Sequence, residues 1–495
     1  MTENSTFFGA YGDFASANAT VGENGSFAPE GMPRSNMDYS IGYSSAALSL
    51  IDLALKSDEV LNSVDYLVYP ICFNMRHAIE LQLKEFWGSL EKLSQYRKVA
   101  LEEHRTIKIK ATPSLKKSLH AFPDVKESTT HDIGIFWDLI GEYAPIIDRR
   151  FLDVILLVSE IISDIAEIDP TGQTFRYPSD TISKVHLVDT PLISIHALKI
   201  RFTFLRKVMH FLDDLIREVK YEYSWCNITA HLSYFDIISA AYDMQPFLGK
   251  AEPYYKLAKK EIINKYKLSS NEYSKLIKLI DCNYCINGII QIDNKPIHLD
   301  INDLILFFDV LNKLNPFEEY LARINQRGHN HTKYSLRGSY GEDHFDAIKR
   351  KRTVIQDFLD ALSPEKLAEI CSLYDFHKEP SYFEMYKDIL REKSLYFNKV
   401  YGDKKAFHTE IKYYFDKNNF FEGVIFSLWR LNIKSIFQEI IDRYNLSGFH
   451  WYEKLINGER HNSLSFYEWY NIKMNALADE LKRNERIIYL LRRDD

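Results

Sequence analysis

Asp65-Tyr-Leu-Val-Tyr-Pro-Ile-Cys-Phe-Asn-Met-Arg-His-Ala-Ile-Glu-Leu-Gln-Leu-Lys-Glu-Phe-Trp-Gly-Ser-Leu90 sets the fold class of this chain. At 100° per residue, Cys72, Ile79, Leu83, Phe86 and Leu90 fall on one apolar face of a helix. Arg76, Glu80 and Lys84 form an i, i+4, i+8 stripe beside that face, with Phe73 and Trp87 nearby. A charged stripe at the margin of a core is partly desolvated and requires partners.

The same period recurs in both directions. Ala46 to Lys56 reads as a preceding helix. Residues 1 to 40 are rich in Gly, Ser, Asn and Ala and read as a flexible tail, with Phe7, Tyr11 and Phe14 as docking points. Downstream, Thr130 is a candidate cap for a helix beginning His131-Asp132-Ile133 and ending at Pro145. Phe151 to Ile168 is the next helix. Phe175-Arg176-Tyr177-Pro178 reads as extended, because the residue before proline avoids the helical region. Asp189-Thr190-Pro191 predicts a helix start, with the helix running to about Tyr221. Shorter helices follow over 234–242, 253–266 and 271–281. Ile289-Ile-Gln-Ile-Asp293 and Ile297-His-Leu-Asp-Ile301, joined by Asn294-Lys295-Pro296, read as a small hairpin. Apolar helical runs then cover Leu304 to Tyr320 and Phe345 to Leu362, and aromatic-rich helices fill the chain to Arg493. The expectation is an all-α, multidomain protein with at most one small β-hairpin. Its regions are a tail (1–40), a helical bundle (41–225), a helical domain with the hairpin (226–362) and a C-terminal aromatic-rich region (363–495).

Composition agrees with that class. The chain has 495 residues, 46% hydrophobic and 26% charged, enough for several cores. A net charge of -7 supplies no global basic field, so nucleic-acid binding must be local. Five scattered cysteines (Cys72, Cys226, Cys282, Cys285 and Cys371) predict a reducing compartment and no disulfide. No signal peptide is evident. The most apolar long stretch, Ile146 to Ile168, is punctuated by Asp148, Arg149, Arg150, Asp153, Glu160 and Asp164, which excludes a typical membrane span. A cytoplasmic protein without membrane contact is expected.

Chemistry-bearing residues concentrate between the two apolar runs, in Arg323-Ile-Asn-Gln-Arg-Gly-His-Asn-His-Thr-Lys-Tyr-Ser-Leu-Arg-Gly-Ser-Tyr-Gly-Glu-Asp-His344. Arginine carries a permanent planar charge, and histidine exchanges protons near neutral pH. Together they can protonate a leaving oxygen and stabilise a phosphate without a metal. The plainer reading is a polar connector. His329-x-His331 with Asp343 and His344 is also a candidate zinc or manganese set. Cys282-x-x-Cys285 is half a zinc site without a second pair, so no metal or other cofactor is expected. No phosphate-binding glycine loop, dinucleotide fingerprint or hydrolase serine elbow is present.

Two stretches resemble the HEPN superfamily, the higher-eukaryote and prokaryote nucleotide-binding domains: small helical bundles, many of them ribonucleases of toxins and phage-defence systems. Over residues 41–225, Arg76-His-Ala-Ile-Glu-Leu-Gln-Leu-Lys84 looks like the Arg-His-x-x-Glu-Leu-x-Leu-Lys run of abortive-infection-type members, and His131-Asp132 and Phe175-Arg176-Tyr177-Pro178 fit with it. The superfamily's catalytic signature is Arg, four to six residues, then His. The closing helix of this unit departs from it, since three residues separate Arg206 from His210 and eight separate Arg201 from it. Over residues 302–362, Arg323-x5-His329 and Arg337-x6-His344 satisfy it, although Ile324 and Gly328 replace the usual Asn after the Arg. Arg97-x6-His104 and Arg443-x6-His450 fit as well.

The resemblance implies a prokaryotic effector that cleaves or binds RNA without a metal, in anti-phage defence. It makes His329 the acid or base, Arg323 the phosphate-stabilising group, and Arg327 and His331 assistants. It also draws Arg76, Glu80, His131, Asp132 and Arg176 into one polar cluster for binding or structure. Since such sites usually form between two bundles, it implies a homodimer or pairing of the two units. The rivals are a non-catalytic helical interaction or sensor protein, with a protein partner or phage-derived trigger, and a metal-dependent nuclease using the histidine loop.

Overall fold

A computed structural model of the chain describes residues 35–56, 63–125, 131–179, 185–327, 344–378, 382–417, 419–457 and 463–491. Among them nineteen α-helices form and no strand, so the fold is all-α; Ser179 and Val185 make a single antiparallel bridge. The chain divides into two units. One comprises residues up to Glu218 together with those from Met474 onward, and the other spans Val219–Lys473. Among the described residues no helix is long and apolar enough to cross a membrane.

In the first unit the helices are α1 (Asn36–Lys56), α2 (Val64–Ser94), α3 (Lys98–Ala111), α4 (Ile133–Ile147), α5 (Arg150–Ile168) and α6 (Ile195–Trp225). Packing centres on α2, which lies against α1 and α4, while α5 packs on α4. Ile79, Leu83, Phe86 and Leu90 are buried as the period requires, and the Phe86 ring meets that of Phe151 edge-on at 5.1 Å. Each such side chain contributes about 1.5–3 kcal/mol by leaving water.

Several helix ends differ from expectation, each for a local reason. The first helix starts at Asn36 rather than Ala46 because Ser35 and Asp38 form a capping box: the Ser35 N–H reaches Asp38 Oδ2 at 2.9 Å and the Asp38 N–H reaches Ser35 Oγ at 3.3 Å. Asp132, not Thr130, caps α4, accepting from the Gly134 and Ile135 N–H groups; Thr130 lies outside the described residues. Pro145 sits inside the last turn of α4 instead of ending it. The α6 helix starts after Ser194, whose hydroxyl accepts from the Ala197 N–H at 3.3 Å, and not at Pro191. The expected tail falls outside the described residues up to residue 34.

In the second unit the helix Pro364–Phe376 is buried nearly all round, at Leu367, Ala368, Glu369, Ile370, Cys371, Ser372, Leu373, Tyr374 and Phe376. It packs against Phe383–Val400 and Phe420–Arg430. One apolar cluster runs from Cys285 to Leu455, so the boundary expected at 362 falls inside a shared core. The run from Leu304 to Tyr320 is two helices, Ile301–Leu314 and Phe317–Arg327, broken around Asn315-Pro316.

No hairpin forms over 289–301. The N–H groups of Ile297, His298 and Leu299 donate instead to the Glu369 carboxylate at 2.7, 2.6 and 2.9 Å, and the Tyr386 hydroxyl donates to it at 2.7 Å. The Asn294 N–H goes to the Asn432 carbonyl, and its side chain pairs with Asn287. Backbone donors that a partner strand would have satisfied are met by side chains distant in sequence.

Candidate functional site

Helical spacing places Arg76, Glu80 and Lys84 on successive turns of α2, all at the core margin. Arg76 is 2% exposed and Glu80 4%. All three guanidinium nitrogens of Arg76 donate: Nη1 to Glu80, Nη2 to the carbonyls of His131 and Pro170 (2.7 Å for the latter), and Nε to the Asp169 carbonyl at 3.2 Å. The guanidinium thus ties α2 to the entry of α4 and the exit of α5. Gly172, at φ +79°, makes room for it, since a Cβ there would lie 3.2 Å from Nη1. Arg76 is a structural clamp with no donor directed at a ligand.

Glu80 gathers the remaining polar groups. Lys84 Nζ and His131 Nδ1 each lie 2.8 Å from its Oε1, and His77 Nδ1 is 3.7 Å from its Oε2. Burial alone would raise the Glu80 carboxyl. The hydrogen bonds from His77, Lys84 and His131, together with the Arg76 charge, outweigh that and hold it well below the usual carboxylate range. An ionised carboxylate only accepts, so His131 Nδ1 donates to it, and in the neutral imidazole the lone pair then lies on Nε2. The His131 side chain is 65% exposed, which leaves Nε2 accessible.

Beside this dyad lies an aromatic and cationic surface. The His77 ring stacks on Phe73 at 5.8 Å and meets Tyr43 edge-on at 4.5 Å. The exposed Arg176 guanidinium lies 5.5 Å from the Phe73 ring centre and 5.3 Å from that of Tyr177. Phe175 and Arg176 occupy a turn, with the Arg176 N–H donating to the Gln173 carbonyl, and not the extended run expected from Pro178.

Of the five residues assigned to one cluster, Arg76, Glu80 and His131 are in direct contact, Asp132 caps α4, and Arg176 lies over the Phe73 and Tyr177 rings. Arg76 and Glu80 are buried, while His131 and Arg176 are exposed. Sequence reading placed Phe73 beside the charged stripe but gave His77 no role of its own. Both are half-buried, and their i, i+4 relation was the available signal.

Most of the expected Arg/His site falls outside the described residues. Arg323 and Arg327 lie on the helix Phe317–Arg327, with side chains outside the described residues, and His329, His331, Arg337 and Asp343 lie outside them altogether. His344 begins the helix His344–Ala361. Cys282 is exposed and Cys285 buried, with its thiol 3.7 Å from the Arg430 carbonyl. Among the described residues no three His, Cys, Asp or Glu side chains are grouped to hold a metal ion. No known family model, curated protein or solved structure matches the chain.

Proposed function

We propose that this chain is a HEPN-like effector that cleaves or binds single-stranded RNA without a metal, and that the α2–α4 surface is its site. The observation that carries the reading is His131: an exposed imidazole whose Nδ1 is anchored on a buried, ionised carboxylate. That is the preparation a general base needs, with the tautomer fixed and the far nitrogen open. Nε2 takes the proton of a ribose 2'-hydroxyl, the 2'-oxygen bonds to the adjacent phosphorus, and the bond to the 5'-oxygen breaks. The proton then passes from His131 to that leaving oxygen, giving a 2',3'-cyclic phosphate and a free 5'-hydroxyl. Arg176, whose exposed guanidinium lies 5.5 Å from the Phe73 ring centre, can pair with the phosphate. Phe73 and His77 offer faces on which bases stack.

The test is RNA cleavage by the purified chain in excess chelator, with His131→Ala and Arg176→Ala compared with His329→Ala. Loss in the first two and retention in the third is expected. Loss only in His329→Ala would return the site to the Arg/His loop, and binding without cleavage in every form would leave an RNA-binding effector.

A further inference from the structure

A cavity of about 1000 Å³ opens next to the α2–α4 surface, between the end of α5 and the segment leading to α6. Its wall includes Pro170, whose carbonyl shares the Arg76 Nη2 with the His131 carbonyl, and Tyr177, whose ring lies beneath the Arg176 guanidinium. The cavity therefore shares Pro170 with the Arg76 clamp and Tyr177 with Arg176. Its volume is at the upper end of small-molecule pockets, roughly 300–1,000 Å³.

Three features of the wall define what fits. First, among the described residues the charged groups lining it are the carboxylates of Glu167 and Asp189. Both are exposed, so they offer acceptors to an amino group at the rim of the cavity. Second, His186 lines the cavity, and its Nε2 is buried without a hydrogen-bond partner. Such an atom costs free energy unless a ligand or water engages it. The His186 backbone is pinned by its N–H to the Pro178 carbonyl at 3.1 Å, and the neighbouring Ser179–Val185 bridge closes the same turn. Third, Gln173 brings an amide able to donate and accept together, the pairing that reads adenine, and Tyr177 brings a stacking face.

We infer that this cavity binds a nucleoside whose base carries an exocyclic amine, adenine above all, with any attached phosphate left outside toward Arg176. The inference deepens the RNA reading by naming the base held beside the reacting phosphate, and free adenine nucleotides share that chemistry.

Calorimetric titration of the full chain with adenosine, inosine, uridine and AMP tests it. Inosine keeps the shape of adenosine and lacks the amine. Adenosine should bind at least tenfold more tightly than inosine or uridine. His186→Ala should weaken adenosine binding at least tenfold, and Gln173→Ala provides the same readout should the histidine variant fail to fold. Arg176→Ala should weaken AMP more than it weakens adenosine. An adenine oligoribonucleotide that binds more tightly than AMP identifies the strand as the natural source, and the reverse identifies the free nucleotide. Absence of adenosine binding, equal binding of inosine, or adenosine binding intact in both cavity variants would overturn the proposal. Adenosine binding by a protein that leaves RNA intact would sink the nuclease reading and retain the pocket.

Discussion

His131 Nδ1 lies 2.8 Å from Glu80 Oε1, joining an exposed imidazole to a carboxylate that is almost wholly buried. The two residues have opposite duties. Glu80 is held by Arg76 and Lys84 and contributes to the fold, whereas His131 can be removed with little loss of packing.

Glu80→Ala leaves the buried Arg76 charge without its carboxylate, and Arg76→Ala removes the donor to Glu80 Oε2 and to three backbone carbonyls. Breaking a buried pair in this way costs about 3–5 kcal/mol. Urea unfolding of the first unit's transition should show a drop of that size for both variants. His131→Ala, at an exposed position, should shift it by less than about 1 kcal/mol. A midpoint unchanged in Glu80→Ala would mean the clamp is not structural.

The depressed Glu80 carboxyl also makes a pH prediction. Its folded value lies below the ordinary 4.5. The stability it confers is therefore complete above that value and is lost as pH falls toward the folded one. The stability gap between the wild type and Glu80→Gln should narrow as the pH drops from about 6 to about 3. Parallel pH profiles would contradict the ionised, hydrogen-bonded state of Glu80.

Glu384 behaves in the opposite sense. Burial raises its carboxyl, despite the bonds donated by the Asn227 N–H and Nδ2 and by Asn283 Nδ2, at 3.2, 3.1 and 3.2 Å. A raised folded value means stability present below the unfolded pKa and lost as pH climbs through the folded one. Glu384→Gln should therefore gain on the wild type as pH rises from about 4 to about 7, read by thermal unfolding at each pH. A gap that shrinks over that interval would show that the carboxylate is better solvated than its burial implies.

Only Cys282 is exposed among the five cysteines. Burial, followed by the negative charge of Asp169, pushes the Cys72 thiol up to about 12, and thiols in that state are unreactive. Native alkylation at neutral pH, followed by mass spectrometry, should give a single adduct at Cys282. Rapid labelling of Cys72 would show that α2 opens at its core face.

The helical class and the main face of α2 were legible because the period of Ile79, Leu83, Phe86 and Leu90 needs no distant partner. The partners of Arg76 were only partly legible. Glu80 is one turn away, but the remaining acceptors are main-chain carbonyls of His131, Asp169 and Pro170, which any residue would carry. The same limit explains the missing hairpin, because the alternation over 289–301 gave no sign that Glu369 would take its N–H groups. Ser194 was outweighed as a cap by the stronger signal of Pro191. His186 carries no motif, and its isolated Nε2 emerges only once the chain has turned back through Ser179 and Val185.

The most direct test of the proposed site compares cleavage of a single-stranded RNA by wild type, His131→Ala and His329→Ala in excess chelator, with helical circular dichroism recorded on each. The account predicts metal-independent cleavage that falls at least about 10²-fold in His131→Ala and persists in His329→Ala, with all three equally folded. Undiminished cleavage in a folded His131→Ala protein would contradict it.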